Sequence, residues 1–285
     1  MSQSIADLLE LFDVAPVGAG RFAGAAGVTG ADGRNVAKGT RLLGQAVVAV
    51  AKCLPDKKIR SAHAVFVQPV EERSGVDLEV DIVHDGRSTA TAVVTVAQRG
   101  RRCASVTVLA DVPSPDVIVH HALRPDVGTP AEANPEQPPL AGCDLRLVDV
   151  VDVNSPDEVG PPELYAWVRC AAPRCDGTAK ALAAYFTGQL GISTTMRAHR
   201  GIGTAQSHES VSTAVLSTFV SFHEPVLWDD WLLYSFESSQ AGAGMSFVRG
   251  QIHTEDGDLL ASFGQEGLIR PLRTADLTID APARL

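Results

Sequence analysis

Residues 76–82 read Val-Asp-Leu-Glu-Val-Asp-Ile, an alternation of apolar and acidic side chains. A period of two is typical of a β-strand with one face buried and the other in water. Two further apolar segments, residues 93–97 and 103–109, lie on either side of Arg99-Gly100. The sequence therefore predicts a strand followed by a β-hairpin that turns at this pair.

A strongly apolar segment precedes these strands. From residue 42 to residue 51, Gln45 is the one polar side chain. A helix that is apolar on all sides has to be enclosed, so residues 40–53 are predicted to form a central helix. A counterpart in the second half is predicted over residues 178–190, with Asp176 as a capping residue.

The two halves of the chain repeat the same spacing. Gly86 and Gly242 each follow a Pro-Val pair and are 156 residues apart, while the hairpin glycines Gly100 and Gly257 are 157 residues apart. In a duplicated unit, turns and core positions keep their spacing while surface residues change. The sequence therefore predicts an α+β protein of two tandem units, each with a central helix wrapped by a curved antiparallel β-sheet.

Proline marks the boundary between the predicted units. Seven of the 17 prolines fall within residues 113–139, a stretch without an apolar period. We therefore predict an N-terminal unit over residues 1–112, a proline-rich linker over residues 113–143, and a C-terminal unit over residues 144–285.

Composition narrows the classes of partner. Lys and Arg number 24 against 34 Asp and Glu, and they are scattered, which argues against nucleic acid. No apolar stretch approaches the ~20 residues that cross a bilayer, and residues 1–20 are predicted to form a short amphipathic helix, not a secretion signal. The five cysteines lack metal-site spacing and are interpreted as buried thiols. Together these features predict a cytoplasmic protein without a metal.

Short motifs follow one another along both halves. The first half contains Leu43-Gly44-Gln45-Ala46 and, over residues 63–69, His-Ala-Val-Phe-Val-Gln-Pro. The second half contains Phe222-His223-Glu224-Pro225, Trp231-Leu232-Leu233-Tyr234-Ser235 and Gln265-Glu266-Gly267-Leu268-Ile269-Arg270. Taken in this order the motifs are specific. Over nearly its whole length the chain resembles the type II acyl-CoA thioesterases, the TesB-like enzymes with a double hotdog fold.

The resemblance implies a reaction and its partners. It implies hydrolysis of fatty acyl-CoA to free acid and CoA by a positioned water, with the acyl chain between the two units and with no cofactor. It also implies a homodimer or a higher oligomer of the double hotdog.

The resemblance also implies the residues that orient the water: an Asp on the second helix, a Ser or Thr on the next strand, and a Gln near the end of the last strand. Gln265 matches the Gln, but the Asp position holds Gly188. The nearest strand hydroxyls, Ser217 and Thr218, are displaced by two and three positions. Uninterrupted alternation would place Ser217 on the face of Val215 and Thr218 on the other face.

Further residues complete the predicted site. The residues predicted to bind substrate are Gly188, Gln189, His223 and Gln45. A replacement for the missing base could be Glu266, Asp229, His223 or Glu209.

Two functions remain open at this point. The first is a thioesterase in which Gln265 orients the water and Ser217 or Thr218 assists. The second is a catalytically weakened or inactive acyl-CoA-binding protein, because loss of a general base typically costs about 10²- to 10⁴-fold in rate.

Overall fold

A computed structural model describes residues 4–27, 35–136, 140–171 and 175–272. Its helices are α1 (Ile5–Phe12), α2 (Gly39–Cys53), α3 (Asp176–Thr187) and α4 (Gly191–Met196). The strands of the first half are β1 (Ala15–Gly18), β2 (Arg21–Gly24), β3 (Lys58–Phe66), β4 (Val76–Asp85), β5 (Thr89–Gln98) and β6 (Arg101–Asp111). Those that follow are β7 (Asn134–Glu136), β8 (Cys143–Leu147), β9 (Glu163–Cys170), β10 (Val211–Phe222), β11 (Leu232–Gly242), β12 (Met245–Thr254) and β13 (Leu259–Pro271).

The thirteen strands form one sheet, in the order β1-β2-β4-β5-β6-β3-β10-β13-β12-β11-β9-β8-β7. Strands β3 and β10 join the two units as an antiparallel pair in which His63 is the partner of Phe219. These two residues are 156 residues apart, which is the offset of the repeat. The two units are therefore related by an approximate two-fold axis that passes through this pair.

The predicted repeat is confirmed strand by strand. Strands β3, β4, β5 and β6 recur as β10, β11, β12 and β13, and both ends of β12 lie 156 residues after those of β5. The predicted hairpin between β5 and β6 turns at Arg99 and Gly100, whose φ angles are 51° and 75°. Two consecutive positive φ angles form the tight turn that matches the twist of paired strands.

The central helices pack against one another and run in opposite directions. A Cβ atom at Gly177, near the start of α3, would lie 3.0 Å from the Cβ of Ala51 near the end of α2. Helix α3 differs from its prediction at both ends: Cys175 is the N-cap and makes no side-chain cap, and Gly188 ends the helix. Of the described helices, none has both the length and the apolar composition needed to cross a membrane.

The N-terminal segment is only in part the predicted helix. Helix α1 ends at Phe12, and the chain continues as the β1–β2 hairpin. The Phe12 ring packs on α2 where Gly44 leaves space, since a Cβ there would lie 2.5 Å from the ring. Glycine in the apolar helix thus allows α1 to approach closely.

The predicted linker is not wholly without regular structure. It contains β7, and its last residue, Cys143, begins β8. The Arg124 guanidinium lies 5.6 Å from the Trp167 ring centroid, and the Ala122 carbonyl is 3.3 Å from His253 Nε2. The segment therefore packs on the C-terminal unit, while the boundaries of the units stay predictions.

The prediction of five buried thiols is wrong for most of the cysteines. Cys143 and Cys170, direct partners on β8 and β9, form a disulfide. Cys103 is a buried thiol as predicted, whereas Cys53 is half-buried and Cys175 is exposed. Residues 27 positions apart meet only through strand pairing, so spacing along the chain could not show this bond. The cysteines therefore give no support to the predicted reducing compartment.

Candidate active site

Thr218 and Gln265 face each other across β10 and β13, where they are direct partners in the antiparallel ladder. Their exposed fractions are 0% and 2%. The Thr218 Oγ1 and both polar atoms of the Gln265 amide nevertheless lack a hydrogen-bond partner among the described residues. Since buried polar groups are normally hydrogen-bonded, this pair marks a place that can bind water or a carbonyl group.

A β-bulge decides which hydroxyl faces Gln265. The ladder between β10 and β13 shifts between Val215 and Ser217, and a bulge of this kind inserts one unpaired residue into the strand. Val215 pairs with Gly267, which shares a face with Gln265, and Thr218 pairs with Gln265 itself. Val215 and Thr218 therefore share the inner face. The prediction that Ser217 lies on the face of Val215 is wrong, because it assumed an unbroken alternation.

Ser217 points to the opposite face of the sheet. Its hydroxyl donates a hydrogen bond of 2.7 Å to Oε2 of Glu266, which is exposed. Of the two hydroxyls predicted to assist catalysis, the structure brings Thr218 to Gln265 and directs Ser217 away.

Helix α4 covers the Gln265 amide. A Cβ atom on Gly191, the first residue of this helix, would lie 2.7 Å from Gln265 Nε2. The connection from α3 to β10 spans residues 188–210, whereas α2 reaches β3 through residues 54–57. The longer connection of the second unit therefore encloses the polar pair.

Gly188 and Gln189 lie between the two central helices. A Cβ atom at Gly188 would be 2.5 Å from Thr40 Cγ2, in the first turn of α2. The Gln189 side chain accepts a hydrogen bond from Lys38 and donates one of 3.1 Å to the Tyr185 carbonyl. Both predicted residues thus lie where the end of α3 meets the start of α2.

The other two predicted substrate-binding residues make contacts away from Gln265. Gln45 is buried on α2, and its Nε2 donates a hydrogen bond of 2.8 Å to the Leu11 carbonyl. His223 is exposed beyond the end of β10, roughly 16 Å along the strand from Thr218 at 3.3 Å per residue. Partial burial lowers the pKa of His223, and the charge of Arg60 lowers it further. Neither side chain contacts the polar pair.

The structure adds a buried ion pair that the sequence did not suggest. Arg41, in the first turn of α2, donates a hydrogen bond of 2.6 Å from Nη1 to Oε1 of Glu72. Both side chains are buried, and the Nε and Nη2 atoms of Arg41 have no partner among the described residues. Burial raises the pKa of Glu72, and the charge of Arg41 partly opposes this. The sequence signal was a charged residue at the start of an otherwise apolar helix.

No metal site accompanies these residues in the described ranges, where no three His, Cys, Asp or Glu side chains are grouped so that they could hold an ion.

Comparison with known proteins places the chain in a family. A family model described as the acyl-CoA thioesterase C-terminal domain matches residues 66–269, more than half of the chain. The chain belongs to the acyl-CoA thioesterase family. Acyl-CoA thioesterase 2 of Haemophilus influenzae is 27% identical over 252 residues, which cover 81% of this chain and 87% of that protein. Human acyl-coenzyme A thioesterase 8 is 25% identical over 266 residues, which cover 81% of this chain and 80% of that protein.

Solved structures share the fold of this acyl-CoA thioesterase family member. The tesB protein of Mycobacterium avium subs paratuberculosis superposes with a TM-score of 0.80 at 22% identity, over 94% of this chain and 100% of that one. Acyl-CoA thioesterase II TesB2 from Mycobacterium marinum gives 0.78 at 22% identity, over 95% and 99% of the two chains. The predicted double hotdog fold and the resemblance to the type II thioesterases are confirmed.

The replacement bases suggested by the sequence do not reach the polar pair of this thioesterase family member. All four of them, Glu266, Asp229, His223 and Glu209, are exposed. Among the described residues Glu72 is the one buried carboxylate. The resemblance implies that Gly188 stands at the position of the family's Asp, and a base would then come from another residue.

Proposed function

We propose that the protein hydrolyses fatty acyl-CoA to free fatty acid and CoA, and that Gln265 and Thr218 position the attacking water and the thioester carbonyl. The observation that carries the proposal is the pair of buried, neighbouring side chains whose polar atoms are unpaired. Family membership supports the class of reaction, and this pair supports its location.

The chemistry of the two groups suits the reaction. An amide donates through Nε2 and accepts through Oε1, and a hydroxyl does both. Water attacks the carbonyl carbon, and the negative charge that develops on the carbonyl oxygen is stabilised by a fixed donor in a site without bulk water. The C–S bond then breaks, and CoA leaves as a thiolate that takes up a proton.

The approximate symmetry supports one such site in each chain. The positions of the N-terminal unit that correspond to Thr218 and Gln265 are Ala62 and Val108, which are also direct partners, on β3 and β6. Both are buried and apolar. The corresponding place in the N-terminal unit therefore lacks the groups that the reaction needs.

The direct test is release of the CoA thiol from acyl-CoAs of short to long chain, comparing the wild type with Gln265→Ala. Removing a donor to the developing oxyanion typically costs about 10²- to 10³-fold in kcat, and we expect a loss of this size. Gln240→Ala, a change at an exposed glutamine of β11, is the matched control. Equal thiol release by both variants and the wild type would contradict the assignment of Gln265.

Gly188 favours a second candidate function, acyl-CoA binding with little turnover. Calorimetric titration with an acyl-CoA, followed by thiol detection in the same sample, separates the two functions. Saturable binding with release no faster than spontaneous hydrolysis would identify a binding protein. The cytoplasmic location predicted from composition stays a prediction, and so does the homodimer or higher oligomer implied by the resemblance.

A further inference from the structure

Glu72 is the one carboxylate that the fold buries among the described residues, with 6% of its surface exposed. It lies between β3 and β4 and pairs with Arg41 on α2. Burying an ion pair removes both ions from water, and their mutual attraction does not always offset this desolvation cost. Ionisable groups held in such an environment are therefore candidates for a functional role.

Arg41 follows Thr40, whose Cγ2 is 2.5 Å from the position of a Cβ at Gly188, so the ion pair lies near the end of α3 that contains Gly188. Tyr185, one turn before Gly188, has a raised pKa, mainly because it is buried and further because the charge of Glu72 is near. The Lys38 ammonium binds Gln189, the residue after Gly188, and its charge also acts on Glu72. Glu72 thus belongs to the polar groups near Gly188, the position onto which the resemblance places the family's Asp.

The ion pair does not use all the donors of the Arg41 guanidinium. The Nε and Nη2 atoms of Arg41 are buried without a partner among the described residues, so the guanidinium can still donate to a bound group. Burial raises the pKa of Glu72 while the charges of Arg41 and Lys38 favour its ionised form. Among ionised carboxylates, one with a raised pKa is a better proton acceptor than a solvated one.

We propose that Glu72 supplies the carboxylate of the hydrolytic reaction in place of residue 188. This inference rests on the thioesterase function proposed above. As the water oxygen bonds to the thioester carbon, one water proton passes to the Glu72 carboxylate. When the C–S bond breaks, CoA leaves as a thiolate and takes that proton, so that Glu72 returns to its ionised form.

The first test compares Glu72→Gln with Glu79→Gln, an exposed acid on β4. Loss of a general base lowers the rate by about 10²- to 10⁴-fold, so we expect a fall of this size in the kcat of Glu72→Gln with little change in KM. The wild-type kcat should fall at acid pH as Glu72 becomes protonated, and this acid limb should be absent in Glu72→Gln. The control should keep the wild-type kcat and pH profile.

A second variant separates catalysis from folding, because an unpaired buried Arg41 could destabilise the protein. Arg41→Gln/Glu72→Gln removes both charges and should fold, as judged by circular dichroism, yet show the same loss of kcat. In the Glu72→Gln background, Gly188→Asp with Thr40→Ala restores a carboxylate and removes the methyl group 2.5 Å from the new Cβ. We expect the kcat of this triple variant to be at least tenfold higher than that of Glu72→Gln.

The outcomes distinguish this inference from the function on which it rests. If Glu72→Gln keeps a kcat within twofold of the wild type while Gln265→Ala loses activity, Glu72 is not the base and the thioesterase function stands. A folded Gly188→Asp combination without any gain also contradicts the inference. If the wild type releases no thiol from any acyl-CoA, both proposals are wrong.

Discussion

Position 191 requires glycine because there is no room for a side chain, not because its backbone conformation is unusual. Its φ lies outside the left-handed region, yet a Cβ atom would be 2.7 Å from Nε2 and 3.0 Å from Cδ of Gln265. Any side chain at this position must therefore displace the amide or the start of α4. Gly264, one residue before Gln265, faces outward and has room for a Cβ, which would lie 3.4 Å from the Phe247 ring.

We expect Gly191→Ala to lower kcat by about tenfold or more, because a displacement of about 1 Å in a catalytic group can cost as much as about 10²-fold. Gly264→Ala is the matched control on the same strand and should keep most of the activity. Thiol-release kinetics on both purified variants, with thermal unfolding to compare their stability, provide the check. Equal kcat values for the two variants would contradict the contact between α4 and Gln265.

The buried pair of Arg41 and Glu72 shows why residue type alone did not single out Glu72. Glu72 is one of 34 acidic residues in the chain, and only packing distinguishes it from the others. Gln265 could be selected beforehand because the motif around it carried the resemblance. Residue identity was informative where a motif surrounded it and uninformative elsewhere.

At the scale of elements, the bulge in β10 matters most for the site. A strand alternates its side chains between two faces, and one extra residue exchanges the faces beyond it. Thr218 consequently reaches the inner face beside Gln265, while Ser217 binds Glu266 on the outer face. Such a bulge depends on the pairing with β13, which the sequence of β10 does not contain.

Adjacent substitutions on β10 test this arrangement. Thr218→Val removes the unpaired hydroxyl and should lower kcat by about tenfold, while stability stays the same or rises by about 1 kcal/mol, since an unsatisfied buried group is removed. Ser217→Ala should keep kcat within about twofold of the wild type, and its free energy of unfolding should fall by at most about 1 kcal/mol. Urea unfolding and thiol release measure both quantities. A larger loss of activity in Ser217→Ala than in Thr218→Val would mean that Ser217, and not Thr218, lies on the inner face of β10 beside Gln265.

At the scale of the whole molecule, the linker and the C-terminal unit meet at His253. This side chain is fully buried, its Nε2 is 3.3 Å from the Ala122 carbonyl, and its Nδ1 has no partner within the described residues. Burial lowers the pKa of His253 below its ordinary value of 6.5, and the charges of His121 and Arg124 lower it further. The folded protein therefore prefers the neutral ring.

A pH dependence of stability follows from this preference. The unfolded chain takes up a proton at His253 as pH falls through about 6.5, whereas the folded chain does so only at lower pH, so the free energy of unfolding should decrease over that window. In His253→Gln this part of the decrease should disappear, and His84→Gln, at an exposed position, should retain it. Urea titrations from about pH 7.5 to about pH 5.5 measure the effect. If His253→Gln and the wild type showed an identical pH dependence, His253 would not be the source of this decrease in stability.

The sequence by itself determined the strands, the hairpin at Arg99-Gly100, the two central helices and the repeat, and the motif around Gln265 predicted this residue as part of the site. These features depend on periodicity, turn residues and motifs that neighbouring residues establish locally. Tertiary structure alone decided the Cys143–Cys170 disulfide, the face of Thr218, the closure of α4 over Gln265 and the burial of Glu72 against Arg41. Each of these depends on which distant segments the sheet and the helix pair bring together, and spacing along one chain does not specify those neighbours.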